Sequence, residues 1–502
     1  MYRILTASRD TYVTNKIVRN NFRATDGNVG QAGTLDLFKL YAESTLSGST
    51  NPSEVSRILI KFDLNPLRAL TASILDLTNF QAIMHLSDVY GGESVPTNFT
   101  LTVMPLSRSF DEGFGRDLVE FRDLDAANWV TASESSGIDA WAVTGANAIG
   151  TLGDIDTDAM DEGNVGAGVV SLEGTQVFRT GEEDLLVNVT TVVSATVANL
   201  IPDHGFRIAF TGSQETDTRT RFVKRFISRH STNFQKTPKL LIKFDDTVQD
   251  DHENFFFDLT GSLFLSNYQR GIPANILSGS SLSEVSGLNC MLLTLVSGTF
   301  SQSFTASQHQ VGGNNIAGLY SASFALPSND TDLVTEIRNA GSATFTEVWG
   351  SLDGTVPYLS STLVIKAIVP SANSREQRRL DVSITNTMGE YSKTTLARFR
   401  VFAFDYDAAE DFQLLKLPIE AKSVIFRDMH YRVRDFNSGD IVIPFDTTYN
   451  STRMSTDSDG MYFDLYMDSL TPGRVYTFEI LVRERGVDQI FTDVSGRFRV
   501  GS

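Results

Sequence analysis

Two groups of residues in this sequence have types and spacings that suit chemistry. The first is the acidic run Asp154-x-Asp156-x-Asp158-x-x-Asp161-Glu162. Alternating carboxylates on a loop can converge on a hard cation, and calcium takes several such oxygens. Ala159 stands where an EF-hand-like loop needs Gly, and Val165 stands where it needs a bidentate Glu. The run therefore reads either as a structural calcium site built by Asp154, Asp156, Asp158 and Asp161, or as a solvated acidic loop. The second group is aromatic. Trp129 and Trp141, with Asp111 nearby in sequence, suit a flat platform for sugar rings with a carboxylate to accept hydroxyl protons; buried anchors for a long loop are the competing reading.

Other chemistry is weakly signalled. Asp111, Glu112 and Asp117 offer carboxylates for glycoside hydrolysis, but that reaction needs two carboxyls at a set separation across the bond, which spacing in sequence does not give. His85, His204, His230, His252, His309 and His430 are dispersed, without the His-x-x-x-His or His-Glu-x-x-His spacing of a zinc site. No nucleophile elbow, P-loop or dinucleotide fingerprint sits between a strand and a helix. The expectation is a protein that is not an enzyme and needs no cofactor, a structural calcium apart.

These residues must be positioned by β-strands. Phe, Gly, Val, Thr and Ser recur through the 502 residues, and long Ala/Glu/Lys/Leu runs are missing. Ile58, Ile60 and Phe62 alternate with Leu59, Lys61 and Asp63, so the strand should set an apolar face against a mostly polar one. Leu240, Ile242 and Phe244 repeat the pattern. From Asp123 to Gly168 the chain is polar and Gly-rich, an irregular excursion with the two tryptophans as its anchors. Thr190 is placed to cap a short helix through Leu200. Further strand-like runs occur at 255–264, 291–296, 318–326, 343–349 and 362–367, then at 380–384, 399–403, 463–467 and 476–482. The acidic 245–254 stretch and 370–376 read as linkers. The fold class expected is all-β: a jelly-roll-like β-sandwich over 1–246, followed by two smaller Ig-like β-sandwiches over 251–369 and 376–502.

A net charge of −19 argues against a nucleic-acid partner, which needs a basic surface to displace counterions. Cys290 is the only cysteine, so no intrachain disulfide forms, and its leucine neighbours predict an inert thiol. No window is apolar enough for a membrane span, and the first residues lack the pattern of a secretory leader.

Residues 1 to 246 also carry a resemblance. Asp10-x-x-Val13, Asn28-x-Gly30, Leu35-x-Leu37, Arg57-x-Leu59-Ile60-x-Phe62-Asp63-Leu64, Phe110-Asp111-Glu112-Gly113, Trp129, Trp141, Asp184 to Thr190, His204-Gly205-Phe206 and Phe226-Ile227-Ser228-Arg229 follow one another as in the DNRLRE domain. This stretch resembles that β-sandwich module, which is related to carbohydrate-binding modules. In the family the Asp-Glu-Gly segment is a structural loop. The whole chain resembles a structural protein of a tailed-phage virion, with such a module ahead of Ig-like ones. The resemblance implies assembly in the host bacterial cytoplasm and incorporation into the virion at the neck, tail, baseplate or capsid surface. Its partners would be other virion proteins and copies of itself. The alternative it implies is a receptor-binding protein that recognises host surface polysaccharide.

Overall fold

A computed structural model describes residues 1–501 except 20–21, 69–79, 90–94, 120–124, 135–136, 167, 280–281, 312–313, 369–377, 407–422 and 485. The fold is all-β, with sandwich-like sheets and short helices. The chain divides into two compact units, one formed within residues 3–243 and the other from 244 onward together with Met1 and Tyr2. The expected linker at 370–376 lies outside the described residues.

In the first unit the strands run in the order Gly174–Phe178, Phe99–Pro105, Phe206–Phe210, Ser53–Phe62, Tyr2–Thr14, Lys239–Lys243, Gln81–Leu86 and Leu185–Asn188. Thr34–Tyr41 pairs with the start of Ser53–Phe62 and with Arg221–Ile227. Alternation puts Ile58, Ile60 and Phe62 in the core as expected, but Leu59 on the opposite side is buried too. The reason is the excursion after Pro105. It folds over that second face and forms its own apolar cluster from Val13, Val55, Leu59, Leu106, Phe110, Trp129 and Trp141. The predicted polar face is thus an inner face. Thr190 does not cap a helix; it begins the helix Thr190–Val197, and its Oγ1 donates to Asn188 Oδ1 at 2.6 Å.

The second unit holds two sandwiches. The first is a folded seven-stranded sheet in the order Phe255–Phe256, Pro357–Lys366, Ser342–Ser351, Met291–Ser297, Phe300–Val311, Asn314–Phe324, Gly261–Ser266. Trp349, Phe345, Leu293, Leu295 and Tyr320 fill its core. The run expected as one strand over 255–264 is two, because Asp258 takes a left-handed backbone (φ 64°) and breaks the extension. The second sandwich sets Leu380–Ile384, Leu396–Asp405, Gly460–Tyr466 and Ser455–Asp457 against a sheet containing Met429–Asp435, Val475–Glu484 and Phe498–Gly501. Its centre is a set of rings: Phe399 stacks on Phe463 with centroids 5.1 Å apart, and Phe478 stacks on Phe498 at 4.8 Å.

The acidic 245–254 stretch is not a free linker. Thr456 N donates to Val248 O at 2.8 Å and Gln249 Nε2 to Met454 O at 2.8 Å, so the stretch lies along the C-terminal sandwich. Asp251 N donates to Ser262 O at 2.9 Å, which ties it to the preceding sandwich as well. His252 completes the attachment, with Nδ1 2.6 Å from Asp250 and Nε2 3.1 Å from Glu347.

Candidate functional site

Among the described residues, one group of His, Cys, Asp or Glu side chains brings three ligand atoms together, all within 4.8 Å of one another: Asp10, Glu112 and His230. Each comes from a different segment. Asp10 lies on the strand Tyr2–Thr14, whose neighbour in register is Ile60. Glu112 follows Phe110, a buried ring that fixes the start of the 111–115 loop. His230 follows the strand Arg221–Ile227, two residues after Ser228. The loop is held close by Asn28, whose Oδ1 accepts the N–H groups of Gly30 (3.1 Å) and Gly115 (2.8 Å) and whose Nδ2 donates to Glu112 O (2.9 Å). Glycine is required at both positions by contact: a Cβ on Gly30 would stand 1.9 Å from Glu112 O, and one on Gly115 1.9 Å from Asn28 O.

The charges in this cluster are already paired. Arg229 grips Glu112 with Nε and Nη2, each at 2.6 Å, and Glu112 Oε1 also accepts the Asp10 N–H at 2.9 Å. His230 Nε2 lies 3.2 Å from the same oxygen. Asp10 is fully buried; its Oδ2 accepts the Arg229 N–H at 2.6 Å, and its Oδ1 has no partner. Burial pushes the Asp10 carboxyl up to about 7, with the Glu112 charge adding to the rise and Arg229 opposing it. Asp10, Glu112 and His230 are the residues that could hold a cation, yet the Arg229 guanidinium supplies the positive charge there. What the arrangement does is fasten three distant segments with a charged cross-link.

The residues singled out from sequence lie elsewhere and have other duties. Asp158 is fully buried, and its carboxylate accepts the N–H groups of Ala142 (2.8 Å), Val143 (3.0 Å) and Ala148 (3.0 Å). It organises the loop and is not turned toward an ion shared with Asp154, Asp156 and Asp161. Asp154 accepts Thr151 N–H at 3.0 Å on the exposed rim, Asp156 is exposed, and Asp161 sits in the strand Ala159–Asn164. The structure does not gather these four carboxylates.

Trp129 (8% exposed) and Trp141 (5%) are core residues, so they form no sugar platform. Trp141 Nε1 donates to Asn128 O at 2.9 Å, which satisfies the indole inside the fold. Arg57 lies 5.1 Å over the Trp129 ring and forks onto Glu215 at 2.9 and 2.7 Å, while also donating to Gly145 O at 2.7 Å. Asp111 pairs with Arg9 at 3.2 Å at the edge of the loop. The two indoles anchor the excursion to the face carrying Val55, Arg57 and Leu59.

Asp10, Glu112 and Arg229 belong to three separate sequence motifs, and spacing alone does not bring them together. A signal was available: each motif carries one charged residue beside apolar strand residues, and such a residue, once buried, needs a partner.

No family model matches the chain, and no curated protein matches it. The likeness to the DNRLRE module therefore rests on its motifs alone. Similar solved structures are tandem Ig modules. A titin fragment (Titin-A168169) is 7% identical, covering 52% of this chain and 98% of its own, with a TM-score of 0.15. The N-terminal Ig1-2 module of the Drosophila receptor protein tyrosine phosphatase DLAR is 8% identical over 52% of this chain and 96% of its own, with a TM-score of 0.13. Three N-terminal domains of the bacteriophage RB49 outer capsid protein Hoc are 11% identical over 51% of this chain and 58% of theirs, with a TM-score of 0.14. Scores this low carry no argument about function. No helix among the described residues is long and apolar enough to cross a membrane.

Proposed function

We propose that this chain is a structural component of a tailed-phage virion, an attachment protein of the neck, tail, baseplate or capsid surface that works through protein–protein interfaces. The observation that supports an interface role is the outer face of the first sandwich in the second unit. Register places Ser301, Ser303 and Thr305 beside Val296, Thr294 and Leu292, then Thr346 and Val348, then Thr362 and Ser360, with Thr344 opposite Val364. The Thr294 and Ser303 hydroxyls meet at 2.8 Å, which fixes them on one side. Not one of these residues is charged, in a chain whose net charge is −19; Lys366, opposite Ser342 at the margin of the same face, turns its Nζ to Glu253 O at 2.9 Å.

A strongly acidic protein repels its own copies and acidic neighbours, so a sheet face with an uncharged centre is where a partner can approach at low cost. Interface cores are depleted of charge for the same reason: a buried unpaired charge is expensive. The partners would be other virion proteins or copies of this chain. Purification of intact particles from infected cells, with mass spectrometry of the bands, tests the reading. A fixed stoichiometry through successive gradients supports it, and a chain left in the soluble fraction contradicts it.

A further inference from the structure

We propose that the cleft between the two sandwiches of the second unit binds one ring of a neutral saccharide. The cleft has a volume of about 210 Å³. Sites for drug-sized ligands run to roughly 300–1,000 Å³, so this one takes a single ring and not a length of chain. One wall carries Phe264 and Tyr268 from the first sandwich, and the other carries Arg398, Tyr431, Arg453 and Tyr462 from the second.

Three features of these walls suit a sugar. Tyr268 is 54% exposed and presents a broad ring with a polar tip, the form of surface against which the C–H face of a pyranose packs. Tyr431 is the reverse case, 2% exposed, yet its hydroxyl lines the cleft without a hydrogen bond to any described residue. The residue is buried but its hydroxyl opens onto the cleft, so the O–H is free to donate to a ligand hydroxyl. Burial, reinforced by the Asp246 and Asp464 charges, raises its pKa above the ordinary phenol range, so it stays a donor. Arg453 uses Nε on Arg427 O at 2.9 Å and has no carboxylate partner among the described residues, which leaves its terminal N–H groups for a ligand.

The charge balance selects a neutral ligand. Arg398 forks onto Asp464 at 2.9 Å on both arms and lies 4.0 Å over the Tyr462 ring, and Arg400 bonds Asp457 at 2.5 Å. These pairs cancel and are fixed in place before any ligand arrives, while their spare lone pairs remain for hydroxyl donors. Across the whole lining the Met1 ammonium, Arg398 and Arg453 stand against Asp246, Asp250, Asp457 and Asp464, so no excess of positive charge is left to hold an anion.

The inference is independent of the assembly reading, since it rests on a different surface. The full-length chain is screened on an array of neutral mono- and oligosaccharides, and the methyl glycoside of the best binder is titrated by calorimetry and saturation-transfer NMR. Saturable binding is expected, weakened at least about tenfold by Tyr268→Ala and by Arg453→Gln in chains that melt as the parent does. Val177→Thr, on an exposed strand of the other unit, should leave it unchanged. Absence of saturable binding by the folded chain overturns the proposal. So does equal binding by both cleft variants, or binding of a polysaccharide that the single methyl glycoside does not compete.

Discussion

The strands Ser53–Phe62 and Val475–Glu484 each run through the middle of a sandwich, and they are held there differently. Ser53–Phe62 is buried on both faces and carries charge inside: Glu54 accepts the Ile17 N–H at 2.6 Å, and Arg57 reaches Glu215 and the excursion. Val475–Glu484 sends Phe478 into a cluster with Phe399, Phe463 and Phe498, and places Glu479 between Arg432 and Arg434 at the edge of the next strand. Rings hold neighbouring strands through area and shape. Ion pairs in the first unit reach segments more than a hundred residues away, and they tolerate no loss of a partner. A long irregular excursion lacks the periodic apolar face that would dock it, so point-to-point charged contacts and two indoles do that work.

The largest expected effect follows from this contrast. Arg57→Met keeps volume but removes both hydrogen bonds to the buried Glu215 carboxylate, leaving it only Arg207 at 3.9 Å, and should destabilise the first unit by about 3 kcal/mol in urea unfolding followed by Trp129 and Trp141 fluorescence. A fall in the Trp349 signal of equal size would erase the distinction between the units.

Next comes pH. Burial pulls the His252 imidazole down, but its bonds to Asp250 and Glu347 and their charges outweigh that and set its pKa to about 10, above the usual 6.5. The stabilisation it gives is complete below about 6.5 and is lost as pH rises through about 10, by at most ~1.4 kcal/mol per pH unit. Stability of the second unit should therefore decline across that window, and His252→Gln should flatten the decline. An unchanged slope in the variant would sink the assignment.

Smaller effects sharpen the comparison. Phe399→Leu nearly conserves volume in a ring-packed core and should cost about 1.5 kcal/mol or less, measured by the second unit's thermal midpoint. A loss as large as that of Arg57→Met would show that the ring cluster is as exacting as the ion pairs. Trp141→Phe loses the bond to Asn128 O and leaves a small gap where the indole packed, together about 1–2 kcal/mol in urea unfolding followed by circular dichroism. No change there would mean that water replaces the carbonyl's partner.

The sequence made the strands legible wherever one face was apolar, as at Ile58, Ile60 and Phe62 or at Leu293 and Leu295. It hid Phe300–Val311, whose Ser, Gln and Thr residues show no apolar alternation because much of the strand is exposed. Leu59 and the tryptophans were ambiguous because burial on a second face depends on a distant segment covering it. The 245–254 stretch looked unstructured for a related reason. Its attachments are backbone hydrogen bonds and one histidine, and neither leaves a hydrophobic pattern. The convergence of Asp10, Glu112 and Arg229 spans most of the first unit, beyond the reach of local spacing.

The central claim, that the uncharged centre of this sheet face in the second unit is an assembly surface, is tested most directly by Thr346→Lys with Val364→Lys. Both positions are exposed, so the double variant should fold with the parent's circular dichroism and melting curve. Supplied in place of the parent during infection, it should be absent from gradient-purified particles or reduced at least about tenfold, because two lysines would be buried unpaired at the contact. Incorporation at the parent's level by the folded variant would contradict the account.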